Sequence, residues 1–344
     1  MSAAVEARTG EHYRVRVEEY RTFQTQGLLV VRGLVPTAEV EELRAHTEDI
    51  LHERVELPGV PTAAYGDGAA HSGILDPSRV SEVERRYVRI HMLHRHLAIH
   101  ERFLLHPRIL DVLQALIGPD IMAMQTMLFL KPPGSDGQGY HQDSYYIPTL
   151  PDTLCGAWLA VDRADAGNGC MRFTVGSQHE PIYPDARNRQ SHYPSGELAD
   201  LAIIEGASHT DEARNGLTPV ARRYAGREVV VPADPGDVVF FGGHILHRSL
   251  ANDSRDRFRR SFVGHYANAR SYTQWGGGNA EHILARGDTH LPYAQPRFGT
   301  PCAANRPRAR NAGAAPAPTM MADGEMMATT ATAAKRLDPA GEED

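Results

Sequence analysis

Apolar positions along the chain change texture near residue 120. Before it, the run Leu28-Leu-Val-Val31, followed by the small Gly33, reads as a short strand. Pro36-Thr37 then opens a helix. Thr37 is a suitable N-cap, Glu39, Glu41 and Glu42 suit the positive end of the helix dipole, and Val40, Leu43, Ile50 and Leu51 share one face. A second helix is predicted from Pro107, with Ile109, Leu110, Leu113, Leu116 and Ile117 inward and a stop at Gly118-Pro119. Two such helices need a sheet to cover.

From Ile121 onward, short β-type runs alternate with Gly, Pro, Asn and Asp: 121–130, 155–161, 170–175, 228–231, 237–241 and 261–266. Short strands at this spacing predict a mainly β chain with flanking helices, its core a sandwich or barrel. Residues 179–218 break the rhythm with polar, Pro- and Arg-rich sequence and read as an insertion, either a lid or a surface excursion. Residues 301–344 are low in complexity and lack aromatic side chains, so a disordered tail is expected there, as is a flexible N-terminus over 1–10. One domain over 11–300 remains.

Composition narrows the function classes. No apolar run approaches the ~18 residues of a membrane helix, and a formal charge of −7 with pI near 6.2 argues against a polyanion-binding surface. Neither membrane nor nucleic acid is expected as a partner. The N-terminal residues show no basic stretch followed by an apolar run, so a cytoplasmic protein is expected. Cys155, Cys170 and Cys302 form no Cys-x-x-Cys pair, which suits reduced thiols better than disulfides or structural zinc.

Candidate chemistry begins with histidine and carboxylate spacing. Non-haem iron oxygenases hold the metal on one face by two imidazoles and a carboxylate, leaving other positions open. His-x-Asp supplies two of the three, because residues two apart in a strand project to the same side. With 18 His and 43 acidic residues among 344, a His-x-acid triplet arises about twice by chance. Two His-x-Asp triplets are present. His209-Thr-Asp211 lies in the polar insertion with no strand before it, whereas His141-Gln-Asp143 follows a predicted strand and a Pro/Gly-rich loop. The second context is the one that supports a ligand.

A third ligand is expected beyond the turn at Pro235-Gly236 and the strand that it launches, where His244 and His247 compete. His247 is preferred because it leads through Ser249 into the basic run Arg255-Asp-Arg-Phe-Arg-Arg260. A buried oxo-diacid needs a guanidinium fork and a hydroxyl for its distal carboxylate, which Ser249 and one of these arginines would supply.

These residues resemble the phytanoyl-CoA dioxygenase family. The likeness runs through Gly118 to Pro133, His141-Gln-Asp143, Gly156-Ala-Trp158, Asn168-Gly-Cys170, Gly176-Ser-Gln178 and Gly236-Asp237 to His265-Tyr266. It implies a double-stranded β-helix (jelly-roll, cupin-like) core, Fe(II) on His141, Asp143 and His247, and 2-oxoglutarate and O2 as cosubstrates. By position, Ser249 and Arg259 would hold the distal carboxylate of 2-oxoglutarate, Met127 and Trp158 would line its pocket, and Arg89 would offer a further cationic contact. Arg257 is the rival to Arg259.

The implied reaction is hydroxylation of an unactivated C–H bond of a small-molecule substrate, with release of succinate and carbon dioxide. Relatives that halogenate carry a small residue where Asp143 stands, so the carboxylate favours hydroxylation. Desaturation or ring formation would use the same cofactors, and a non-catalytic jelly-roll ligand-binding protein is the reading of another class. Members of the family act on branched acyl-CoA thioesters or on small metabolites. No compact basic cluster outside 255–260 announces a CoA site, which favours a small metabolite.

Overall fold

The computed structural model describes residues 12–57, 89–184 and 201–299. The expected flexible N-terminus and tail, and 185–200 of the insertion, lie outside them. The strands are β1 (Leu28–Val31), β2 (Arg89–His91), β3 (Ile121–Lys131), β4 (Gln138–His141), β5 (Cys155–Ala160), β6 (Met171–Thr174), β7 (Glu228–Val231), β8 (Val238–Gly242), β9 (His247–Ser249), β10 (Arg259–Asn268) and β11 (Ile283–Arg286). The helices are α1 (Val17–Gln26), α2 (Thr37–Leu51), α3 (Ala98–Leu104), α4 (Pro107–Ile117), α5 (Asp143–Tyr146) and α6 (Thr218–Arg222).

Two antiparallel sheets face each other. The larger runs β1-β8-β5-β10-β3-β11, with β2 also on β3, and the smaller runs β4-β9-β6-β7. The long strand β10 lies between β5 and β3, and its alternation divides the interior. Phe262 and Tyr266 point to a core shared with Val40, Leu43, Ile109 and Leu113 of the helices. Val263 points the other way, to Trp158, Phe173 and Phe241 between the sheets. This is the double-stranded β-helix with flanking helices, its mouth between the two sheets.

Thr37 is the first helical residue of α2 and not its cap. Pro36, at φ −59 and ψ 144, takes the flanking position, which suits a residue with fixed φ and no N–H. The described part of the insertion packs Ile204, Ala207 and Leu217, together with Val220 of α6, against Tyr140 and Leu246. Its Ser208 exchanges backbone hydrogen bonds with Gly139 (3.0 Å) and Tyr140 (2.9 Å), covering the free edge of β4.

Candidate active site

His141 ends β4 and His247 opens β9, and the two are direct cross-strand partners. Their ring centroids lie 4.0 Å apart. Asp143 is not on the strand as the His-x-Asp spacing suggests. It is the first residue of the one-turn helix α5, but Gln142 before it is extended (φ −121, ψ 128), so the carboxylate still turns to the side of His141. Asp143 Oδ1 lies 3.6 Å from Nε2 of each histidine, and the three ligand atoms fall within 4.8 Å of one another. Among the described residues this is the one group of three such side chains.

The surroundings prepare these atoms for a cation. His141 Nδ1 is 2.9 Å from the Gly139 carbonyl and His247 Nδ1 is 3.0 Å from that of Ile245. A carbonyl only accepts, so each Nδ1 carries the proton and each Nε2 keeps its lone pair. Burial alone would raise the Asp143 carboxyl, but the imidazoles of His247, His265 and His141 outweigh it and hold the group well below the usual carboxylate range. Gln142 locks the triplet from behind, donating to the carbonyls of Pro181 (3.0 Å) and His244 (2.9 Å). His244 itself turns to Asp152 (2.9 Å) and the Glu180 carbonyl (2.8 Å), away from the cluster.

A cavity of about 370 Å3 opens beside the three ligands, lined also by Ser249, Arg259, Lys131, Met127 and Trp158. Ser249 follows His247 by two residues and shares its face of β9. On β10, Arg259 and Val263 share a face. Arg259 lies opposite Lys131 on β3, and Val263 lies between Trp158 and Met127 of the neighbouring strands. Arg259 is 4% exposed, donates to the Ser261 hydroxyl (3.0 Å), leaves its Nε without a partner and lies over Trp158 (5.7 Å) and Phe129 (5.9 Å). Burial pulls its pKa down to about 10, which leaves it a cation at neutral pH.

Lys131 is equally buried and donates to the Leu250 carbonyl; burial, then Arg259, pushes its pKa well below the ordinary lysine value. Among the described residues neither side chain has a carboxylate within ion-pair distance. A buried guanidinium in that state, with an amine beside it that an incoming negative charge would help to protonate, calls for an anion. Two of the competing arginines are committed elsewhere. Arg257 pairs with Asp165 on the surface, and Arg260, on the opposite face of β10, forks onto Asp162 and reaches Glu48 of α2.

Arg89 and Tyr146 also line the cavity, whereas Tyr145 meets Tyr146 edge-on. Lys131 and His265 are functional candidates that the motifs did not single out. Strand parity could have found both, since Lys131 keeps step with Met127 and His265 with Arg259.

The chain matches the family model described as Phytanoyl-CoA dioxygenase (PhyH) over residues 23–261. It is 29% identical over 268 residues to a probable phytanoyl-CoA dioxygenase of Caenorhabditis elegans, covering 76% of this chain and 78% of that protein. With the peroxisomal phytanoyl-CoA dioxygenase of Rattus norvegicus it shares 28% identity over 290 residues, 82% of this chain and 77% of the relative. Among solved structures, the epimerase SnoN in complex with Fe3+, alpha ketoglutarate and nogalamycin RO superposes with a TM-score of 0.55 at 21% identity, covering 82% of this chain and 95% of that one. EctD from S. alaskensis with 2-oxoglutarate and 5-hydroxyectoine gives a TM-score of 0.56 at 15% identity, over 87% and 91% of the two chains. The sheet pair, the converging His, Asp and His, and the family match over most of the described residues agree: this chain belongs to the phytanoyl-CoA dioxygenase family.

Proposed function

We propose that this protein is an Fe(II)- and 2-oxoglutarate-dependent dioxygenase that hydroxylates an unactivated C–H bond of a small organic substrate. The observation that carries this reading is the pairing, in one cavity, of a two-imidazole, one-carboxylate cluster with a buried arginine cation that has no carboxylate partner among the described residues. His141, Asp143 and His247 would hold the iron. Arg259 and Ser249 would bind the distal carboxylate of 2-oxoglutarate, with Lys131 offering a hydrogen-bond donor beside Arg259 and with Trp158 and Met127 as apolar walls.

Iron, 2-oxoglutarate and O2 together supply the oxidising power, giving hydroxylated product, succinate and carbon dioxide. The residues supply position. Arg259 exchanges an unmet charge for a paired one when the diacid enters, which favours that ligand over a neutral molecule. Trp158, Val263 and Phe241 exclude water around it. Gln125, His91 and Gln138 offer polar contacts near the ligand set, where Gln138 Nε2 lies 3.1 Å from His141 Nε2.

A solved structure described as a carbocyclase shares the fold at a TM-score of 0.54, which keeps ring-forming or hydrogen-removing oxidation as the second reading. The test is succinate release dependent on Fe(II), 2-oxoglutarate and O2, followed by a metabolite screen read by mass spectrometry. A product heavier by an oxygen atom supports hydroxylation, and one lighter by two hydrogens supports the second reading. No succinate under any condition would favour a non-catalytic binding protein.

A further inference from the structure

The geometry points to His265 as a positioning residue that holds Asp143 to metal coordination through one oxygen. The inference rests on the reading of the cavity as an iron and 2-oxoglutarate site, and it concerns a residue with no role in that reading so far. A carboxylate ligates a metal through one oxygen or through both. Of roughly six positions around the ion, the three side chains should take only three, because a chelating 2-oxo acid needs two and O2 needs one. If Asp143 used both oxygens, one position would be missing.

The structure separates the two oxygens of Asp143. Oδ1 lies 3.6 Å from Nε2 of both His141 and His247, whereas Oδ2 lies 2.9 Å from Nε2 of His265. An ionised carboxylate only accepts, so His265 Nε2 donates and Oδ2 is occupied by that hydrogen bond. His265 comes from β10 in the larger sheet, whereas both ligand histidines come from the smaller one, so the carboxylate is held from the opposite wall. The ring is 4% exposed and its Nδ1 has no hydrogen-bond partner. Burying an imidazole with one nitrogen unmet costs stability, and the bond to Asp143 is the one polar contact its ring makes among the described residues. Strand β10 therefore anchors the site twice from one face, with Arg259 toward the cosubstrate and His265 toward the metal ligand.

The test compares His265→Phe, which removes the donor, with His265→Gln, which keeps an N–H of similar reach, and His265→Asn, whose amide is too short. Anaerobic Fe(II) affinity and the visible charge-transfer band of the Fe(II) and 2-oxoglutarate complex are read in each, with circular dichroism as the folding control. We expect His265→Phe and His265→Asn to weaken Fe(II) binding about 10- to 100-fold and to shift the band, and His265→Gln to recover most of both. Folded variants with wild-type affinity and band would overturn the inference. If His265→Phe does not fold, equal behaviour of His265→Gln and His265→Asn overturns it in the same way. Failure of the wild-type protein to bind Fe(II) would overturn the cavity reading and this inference together.

Discussion

The chain writes His-x-Asp twice, and the two copies behave differently. His141 and Asp143 are buried and converge with His247. In the other copy, Asp211 is exposed, its backbone N–H donates to His209 Nδ1 (3.0 Å), and its carboxylate accepts from the Ala213 N–H (2.9 Å). The second triplet satisfies itself as a turn; the first is satisfied by elements remote in sequence. Yet they are neighbours. A Cβ at Gly139 would collide with the His209 carbonyl, so the turn packs on the strand that presents His141 without offering a ligand. What makes a triplet a site is the backing of its non-ligating atoms, here the Gly139 and Ile245 carbonyls, Gln142 and His265.

The largest expected effect breaks this comparison outright. His141→Ala, Asp143→Ala or His247→Ala should abolish iron retention and turnover, measured by metal analysis and succinate release, while His209→Ala and Asp211→Ala leave both unchanged. Next comes the adjacent pair on β10. Arg259→Ala should weaken 2-oxoglutarate in an anaerobic titration by roughly 30-fold or more, the equivalent of about 2–5 kcal/mol for an unpaired carboxylate, with iron binding intact. Arg260→Ala should leave 2-oxoglutarate affinity alone and instead lower the melting temperature. It removes the fork on Asp162, just after β5 (2.7 and 3.0 Å), and the contact to Glu48 of α2, at a cost of roughly 1–3 kcal/mol.

The smallest effect concerns His244, the rival that turned away. Burial would lower its pKa, but Asp152 and the Glu180 carbonyl outweigh that and raise it. A raised folded pKa gives stability that is fully present below the unfolded value of about 6.5 and is lost as pH rises through the folded value. Melting temperature should therefore fall modestly over that range, and His244→Gln should flatten the slope. A slope unchanged in His244→Gln would assign it to other groups.

Seven of the strands were legible because each carries a short apolar run: 228–231 coincides with β7, and the predicted 121–130 and 155–161 fall within a residue of β3 and β5, whereas β2 and β11 were not predicted. Helix α1 was not legible, because its Val17–Gln26 buries only Glu19 and Phe23 and is marked instead by Glu19 at its start and Gly27 in the left-handed region (φ 79) at its end. Strands β4 and β9 are too short for any periodicity, and they carry the ligands. Their histidines were found by motif and context. The preference for Arg259 over Arg257 followed from the family likeness; in the structure Arg257 lies before β10 and pairs with Asp165, and strand parity turns Arg259 to the cavity and Arg260 away from it. Lys131 and His265 belong to no ligand motif; parity with Met127 and Arg259 was the signal available for them, while their partners across the strands, Arg259 and Asp143, come only from the fold.

The most direct test loads the wild-type protein anaerobically with Fe(II) and 2-oxoglutarate, admits oxygen, and measures bound iron and succinate beside Asp143→Ala and Asp211→Ala. The account predicts stoichiometric iron and succinate in the wild type and in Asp211→Ala, and neither in Asp143→Ala. Equal loss in the two variants, or iron and succinate that survive in Asp143→Ala, would contradict it.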